Sequence, residues 1–296
     1  MASLTRAWLA FVVWLNAHLE SAAVRLTCIT GKSPVPLHPK HLLTASETHW
    51  WYLRHLHPTD RLLDIGCGSG SHTSRASEQV TQAFGLDRDH NALRSARRIT
   101  SGHVSNLTLL QASAEAPLPF CDGAFGVVLL LDVIEHLNAR VALLREVHRI
   151  LRPDGRLLLS APNRDTTWKR KLRAVGLAYY ADPDHKIEYT LDELLHELAA
   201  GGFEPADEPQ LVVYDTPWTG VIDFVGGLSL SLYRRLAMWK VGQAQAHPEE
   251  TTGWRLACRK LPSSQRNEGE TSKGSSISHH TAATMCVAGD RGIEGV

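Results

Sequence analysis

Apolar positions follow two different rhythms along this chain. Near the N-terminus, Trp8 to Leu15 is an apolar run preceded by Arg6 and followed at once by Asn16, His18, Glu20 and Arg25. That mixture predicts an amphipathic helix over residues 4–26, packed or interfacial, because the apolar run alone is far shorter than the ~20 residues that cross a bilayer. A cleaved signal is the competing reading, since the run has the length of a signal's apolar centre. From residue 61 onward, short apolar runs alternate with helical patterns. Arg61–Ile65, Gln82–Asp87, Leu107–Gln111, Ala124–Asp132 and Arg156–Ala161 read as strands, and 71–80, 90–100 and 139–151 as helices. Asn138 is placed to cap the last of these helices, and Pro153-Asp154-Gly155 signals a stop and turn after it. Thr190 and Glu193 form a capping box that opens a further helix, and 212–214 and 254–259 read as late strands. Apolar strands alternating with helices imply an α/β fold with a mostly parallel sheet covered on both faces.

Composition adds boundaries. Residues 262–296 hold no aromatic residue and no Leu, but many Ser, Gly and Thr. Such a segment cannot bury enough apolar surface to offset chain entropy and reads as a disordered tail. The 296 residues thus divide into an N-terminal helix and lead-in (1–34), a folded domain (35–261) and the tail. Lys plus Arg and Asp plus Glu both number 31, so overall charge does not drive nucleic-acid binding, and no nucleic-acid partner is expected. Five scattered cysteines without a CxxC pair suggest neither a disulfide framework nor a cysteine metal site. A cytoplasmic location fits, with the first helix available for peripheral membrane contact.

The sharpest motif runs from Asp64 through Gly66, Cys67, Gly68 and Ser69 to Gly70. A buried strand enters three alternating glycines and then a helix. In a parallel sheet that turn lies at the carboxyl edge, where ligands bind. Asp87 ends the next strand, where a carboxylate can accept hydrogen bonds from two ribose hydroxyls. Together these residues specify a nucleoside-bearing cofactor. A dinucleotide would need G-x-G-x-x-G, whose third glycine falls here on Ser71, and Asp64 would face its pyrophosphate. The acid suits the positive amino group of a methionine moiety better. Cys67 reads as a small filler.

At these residues the chain resembles the class I S-adenosylmethionine-dependent methyltransferases. LDIGCGSG and GLDRD resemble the first two motifs, Phe125 to Leu137 the fourth-strand motif, and Leu151 to Asn163 the turn and fifth strand. The resemblance covers about 45–163 and is closest to the methyltransferase type 11 group, similar to the ubiquinone-biosynthesis O-methyltransferases. It implies a Rossmann-like, doubly wound, mostly parallel seven-stranded sheet with helices on both faces. It implies S-adenosyl-L-methionine as cofactor. Gly66, Cys67, Gly68 and Gly70 would border the methionine end, Asp64 would orient the amino group, and Asp87 would hold the ribose with Arg88 beside the adenine. Ser113, Ala114 and Glu115 stand where the family often has Asp-Ala to read the adenine. Asp132 lies at the edge of the fourth strand with Glu135 and His136. His136 is the candidate base, with pocket shaping as its rival role, because an imidazole exchanges a proton near neutrality. Relatives that bind a divalent ion carry Glu-x-x-Glu-His there; this chain has Asp-x-x-Glu-His and is assigned no metal. Two other functions compete. The glycine spacing speaks against a nicotinamide-dependent oxidoreductase. A non-catalytic methyltransferase-like partner protein is favoured only by Ser113.

The acceptor side is less specific. Arg164, Lys169, Arg170, Lys171 and Arg173 follow the fifth strand, and Arg234, Arg235 and Lys240 punctuate the apolar stretch 218–239. One reading is a packed lid helix with a solvated basic face. The other is an apolar, basic mouth, built with the first helix, for a small-molecule or lipid-linked acceptor. His185 reads as a lone loop histidine.

Overall fold

The computed structural model describes residues 2–34, 36–43, 50–100 and 105–261. The predicted tail, with its His279-His280 pair, lies outside the described residues. In chain order the elements are α1 (Ala2–Ile29), β1 (Arg61–Ile65), α2 (Ser71–Ser77), β2 (Gln82–Asp87), α3 (His90–Thr100), β3 (Leu107–Gln111), β4 (Phe125–Leu131) and α4 (Arg140–Ile150). They continue with β5 (Leu151–Pro162), α5 (Thr167–Ala174), α6 (Leu191–Ala200), β6 (Phe203–Pro205), β7 (Gln210–Leu211), α7 (Thr219–Leu228), α8 (Leu230–Ala246) and β8 (Gly253–Lys260).

The sheet runs β3-β2-β1-β4-β5-β8-β6, with the short β7 paired to β8. The β1–β2, β1–β4 and β2–β3 pairs are parallel, and β6 and β7 run antiparallel to β8. Seven strands on one path and a mostly parallel order match the expected Rossmann-like sheet. Its centre consists of strands buried on both faces: Leu62, Leu63 and Ile65 of β1 and Val127 to Leu130 of β4 are fully inaccessible. At the amino edge, Phe84, Phe120 and Phe125 meet edge to face, and the Arg61 guanidinium stands over the Phe84 and Phe125 rings.

The described residues form two compact units. A sheet unit comprises His55–Leu159, Leu195–Asp207 and the described residues from Ala257; a helical unit comprises the described residues up to Arg54 together with Ser160–Leu194 and Glu208–Leu256. β5, α6 and β8 contribute residues to both. In the helical unit α1 packs along α7, and α7 on α8. The Asn16 amide donates to the Pro217 carbonyl at 2.6 Å and accepts from the Gly220 amide at 2.7 Å. Glycine at 220 permits that approach, since a Cβ there would stand 2.4 Å from the Asn16 carbonyl oxygen.

Several local expectations change. α1 spans 28 residues and is by length and composition able to cross a membrane, although its central apolar run is short. Asn138 is not the cap of α4; Ala139 occupies that position with no side-chain bond. The Pro153–Gly155 segment is part of β5. The Thr190 capping box does form, with reciprocal bonds of 2.9 and 3.3 Å to Glu193.

Candidate functional site

The parallel register brings the carboxyl ends of β1, β2 and β3 level: Ile65 faces Leu86 and Asp87 faces Gln111. The chain leaves β1 through three glycines with positive φ, 73° at Gly66, 53° at Gly68 and 77° at Gly70. The amides of Gly66 and Cys67 both donate to the Leu86 carbonyl, which pins the turn to β2. Two of the glycines are required by packing. A Cβ on Gly66 would stand 2.5 Å from Val133 Cγ2, and one on Gly70 would stand 2.9 Å from Ala96 Cβ. Gly68 differs: among the described residues, nothing beyond its own chain neighbours lies within 4 Å of where its Cβ would stand. Its backbone therefore faces a cradle that a side chain would fill and a ligand can approach.

Asp64 and Asp87 flank this turn. Asp64 is 2% exposed, and its Oδ2 accepts the Thr73 hydroxyl at 2.6 Å. Burial pushes its pKa up to about 7; the Thr73 bond opposes the rise and Asp87 adds to it. Asp87 is half-buried. Its Oδ2 accepts the Gly68 amide and its Oδ1 the Asp89 amide, each at 2.8 Å. A carboxylate has about four lone-pair sites, so two remain for hydroxyl donors. Arg88 is exposed beside it, and its carbonyl accepts the Gln111 side-chain amide at 3.2 Å.

Past β3, Ser113 and Ala114 are half-buried. The Ser113 hydroxyl accepts the Glu115 amide at 3.1 Å. Glu115 itself turns to the loop after β4, where it accepts the Asn138 amide at 2.7 Å and the Ala139 amide at 3.3 Å. Those bonds, Asn138 first, hold its carboxyl below the ordinary range. Cys67 is buried, and its sulfur packs toward Gly85, where a Cβ would stand 3.0 Å away. Burial first, then Asp64 and Asp87, push its thiol pKa far up, so it is a neutral filler. Just beyond β4, Asp132 is exposed with φ 53°, alone among the described non-glycine residues in a positive φ. The following 3-10 turn, Ile134–His136, buries Glu135 and leaves His136 half-buried.

The helical unit contains a cluster that sequence reasoning did not find. Lys169 donates to the Asn163 carbonyl at 2.7 Å and pairs with the fully buried Glu188. Glu188 also accepts the Ala181 amide at 2.6 Å and holds His185 Nδ1 at 2.8 Å. His185 is therefore a fixed imidazole with a buried carboxylate behind it. The His185–Glu188 pair is three residues apart, but Asn163 and Lys169 join it from separate segments, and no local spacing signals that.

The predicted basic cluster after β5 is largely consumed within the same unit. Arg164 pairs with Glu193, Lys169 with Glu188, and Arg170 and Arg173 with Asp165. Lys240 is also buried, 3.4 Å from the Thr219 hydroxyl, and burial lowers its pKa against the pull of Asp223 and Asp215. It does not serve as a basic rim.

Comparison with known proteins agrees with the carboxyl-edge geometry. Residues 63–159 match the family model described as a methyltransferase domain. The chain is 31% identical over 192 residues to a probable S-adenosylmethionine-dependent methyltransferase of Mycolicibacterium smegmatis, covering 60% of this chain and 66% of that one. It is 29% identical over 178 residues to the 27-O-demethylrifamycin SV methyltransferase of Amycolatopsis mediterranei, covering 57% and 63%. A ubiquinone biosynthesis O-methyltransferase of Pseudomonas aeruginosa is 29% identical over 132 residues, covering 43% and 55%. The matches thus span less than two thirds of each of these relatives. Among solved structures, the [4+2]-cyclase SpnF shares the fold with a TM-score of 0.50 at 19% identity, covering 73% of this chain and 82% of that one.

Proposed function

We propose that this chain is a class I S-adenosylmethionine-dependent methyltransferase and transfers a methyl group to an oxygen of a small or lipid-linked acceptor. Bound S-adenosylmethionine supplies an electrophilic methyl group. The observation that carries the reading is Asp64: a buried carboxylate, with a hydroxyl as its hydrogen-bond partner, directly before the open Gly68 cradle. A carboxylate buried without a cation is costly, and an ammonium group at the cradle would relieve that cost.

In this reading Asp64 holds the amino group of the methionine end against the Gly66–Gly70 backbone. Asp87 holds the ribose hydroxyls with its remaining lone pairs. Ser113 and Ala114 border the adenine with Arg88, and Glu115 acts by fixing the loop that carries Asn138. Asp132 lines the edge of β4. His136 takes the proton from an acceptor hydroxyl as attack begins, a task that needs a base because a neutral hydroxyl is a weak nucleophile. Oxygen as the target is supported by the names of the rifamycin and ubiquinone relatives. Titration calorimetry tests the cofactor: S-adenosylhomocysteine binds in the micromolar range and NAD does not. NAD binding without S-adenosylhomocysteine binding would overturn the reading in favour of an oxidoreductase.

A further inference from the structure

The outward side of α1 is apolar where a solvated helix would be polar. At 100° per residue, Leu4, Trp8, Phe11, His18, Ala22 and Ile29 fall on one face, centred about 120° round the helix from the buried face with Leu9, Val12, Ala23 and Thr27. Trp8 is 58% exposed and Trp14 53%. The rings form a ladder: Trp8 to Phe11 and Phe11 to Trp14 at 6.0 Å between centroids, and Trp14 to His18 at 4.1 Å. Where the ladder ends at His18, a groove of about 330 Å³ begins between α1 and Phe224 of α7, and Arg25 lines it. α8 repeats the pattern, with Leu232, Met238 and Trp239 exposed beside Arg234 and Arg235. Among the described residues, every large apolar side chain that stands exposed belongs to residues 4–29 or 218–239. A concentration of this kind marks a binding surface.

Charge identifies the partner. The exposed basic side chains on these helices are Arg6, Arg25, Arg234 and Arg235, and none forms an ion pair among the described residues. Glu20 is the one acid of α1 and turns toward His38, 3.9 Å away. Asp223 of α7 is buried and accepts the Tyr233 hydroxyl, and α8 has no acid. Exposed tryptophans beside unpaired arginines match the boundary between lipid headgroups and acyl chains, where Trp is enriched and arginine meets phosphate.

We propose that the outward faces of α1 and α8, with the α1–α7 groove, form a docking surface for a bilayer rich in anionic phospholipid. The ladder lies at the headgroup level, and the groove takes apolar chain with Arg25 at its phosphate end. α1 lies on the membrane and does not cross it, because its other side is fastened to α7 through Asn16, and Thr30 donates to the Gly227 carbonyl at 3.1 Å. The surface belongs to the helical unit alone, so the inference stands whether or not methyl transfer does.

Co-sedimentation of the full chain with phosphatidylcholine vesicles, with and without phosphatidylglycerol, tests it at low and high salt. The expected result is pelleting with the anionic vesicles that falls steeply at high salt. Trp8→Ser with Trp14→Ser should weaken vesicle binding at least about tenfold, as loss of buried apolar area at an interface requires. An unchanged thermal midpoint and circular dichroism spectrum would show that this variant still folds. Arg234→Gln with Arg235→Gln should remove most of the salt dependence. Three outcomes would overturn the proposal. Anionic vesicles at low salt leave the protein in the supernatant. The chain is a dimer that the two tryptophan substitutions dissociate, so that the face meets a second copy. The protein stays with vesicles through an alkaline carbonate wash, so that α1 spans the bilayer.

Discussion

Two buried aspartates four positions apart have opposite environments. Asp60, just before β1, is 1% exposed and meets Arg156 at 2.5 Å and Arg152 at 3.4 Å, while also accepting the His57 amide at 2.8 Å. Asp64, within β1, is 2% exposed, and its Oδ2 accepts the hydroxyl of the neutral Thr73. The first charge is neutralised by the protein itself, at the amino edge of the sheet. In the proposed reading, the second is left for an amino cation that arrives at the carboxyl edge. On that reading, one strand separates a structural acid from a ligand-binding one, and the pairing, more than the burial, tells them apart.

The comparison can be broken from either end. The largest effect is expected of Gly68→Val, which touches neither aspartate. The side chain fills the cradle and puts a β-branched residue at positive φ, so S-adenosylhomocysteine binding is abolished in calorimetry. Binding at parental strength would place the ligand elsewhere. Asp60→Ala strands two arginine side chains. It should lower the unfolding free energy by about 3 kcal/mol in a denaturant titration, while the folded fraction keeps its cofactor affinity.

Asp87→Ala should cost about 1.5–3 kcal/mol of cofactor binding, the scale of hydrogen bonds to a charged acceptor. Asp64→Asn sharpens the contrast further, since it keeps an acceptor for Thr73 and removes the charge. At pH 8 it should raise the thermal midpoint and weaken S-adenosylhomocysteine binding about tenfold, equal to about 1.4 kcal/mol. A midpoint that falls as in Asp60→Ala would make Asp64 a structural acid as well.

The smallest effect is a pH dependence. Asp64 has a folded pKa of about 7, above the ~3.9 of an unfolded aspartate. Between these values the native state holds a proton that the unfolded state has lost. Stability without ligand is therefore fully present below about pH 4 and declines as pH rises through 7, while affinity for an amino cation rises over the same window. Parallel melts and calorimetry across that range, with Asp64→Asn as the flat control, check both slopes.

How much of this was legible in sequence follows from the range of the interactions. β1, β2, α3 and β3 begin and end where the pattern puts them, because local periodicity and turn residues decide those boundaries. The glycine turn was legible for the same reason: strand, acid, glycines and helix are contiguous. Asp60 was not, since its arginine partners both lie in β5. The arginines after β5 looked free because Glu193, Glu188 and Asp165 cannot be assigned to them without the fold. Glu115 resembled an adenine neighbour from its place after β3, but its bonds go to Asn138 and Ala139. The three-residue β6 offered too short a pattern to read.

The strand order also bears on how the chain is made. β8 is the last of the described strands to emerge during synthesis, yet its place is between β5 and β6, and β6 pairs with no other described strand on the path. After Pro162 leaves the ribosome, the outer edge of β5 waits for Gly253 and the residues behind it. At ordinary elongation rates that wait lasts roughly 5–20 s. For that time the nascent sheet displays a long, apolar, unpaired edge, the geometry that invites pairing with a neighbouring chain. The position of one late strand thus predicts that yield falls when chaperones are depleted, even where the finished protein is stable.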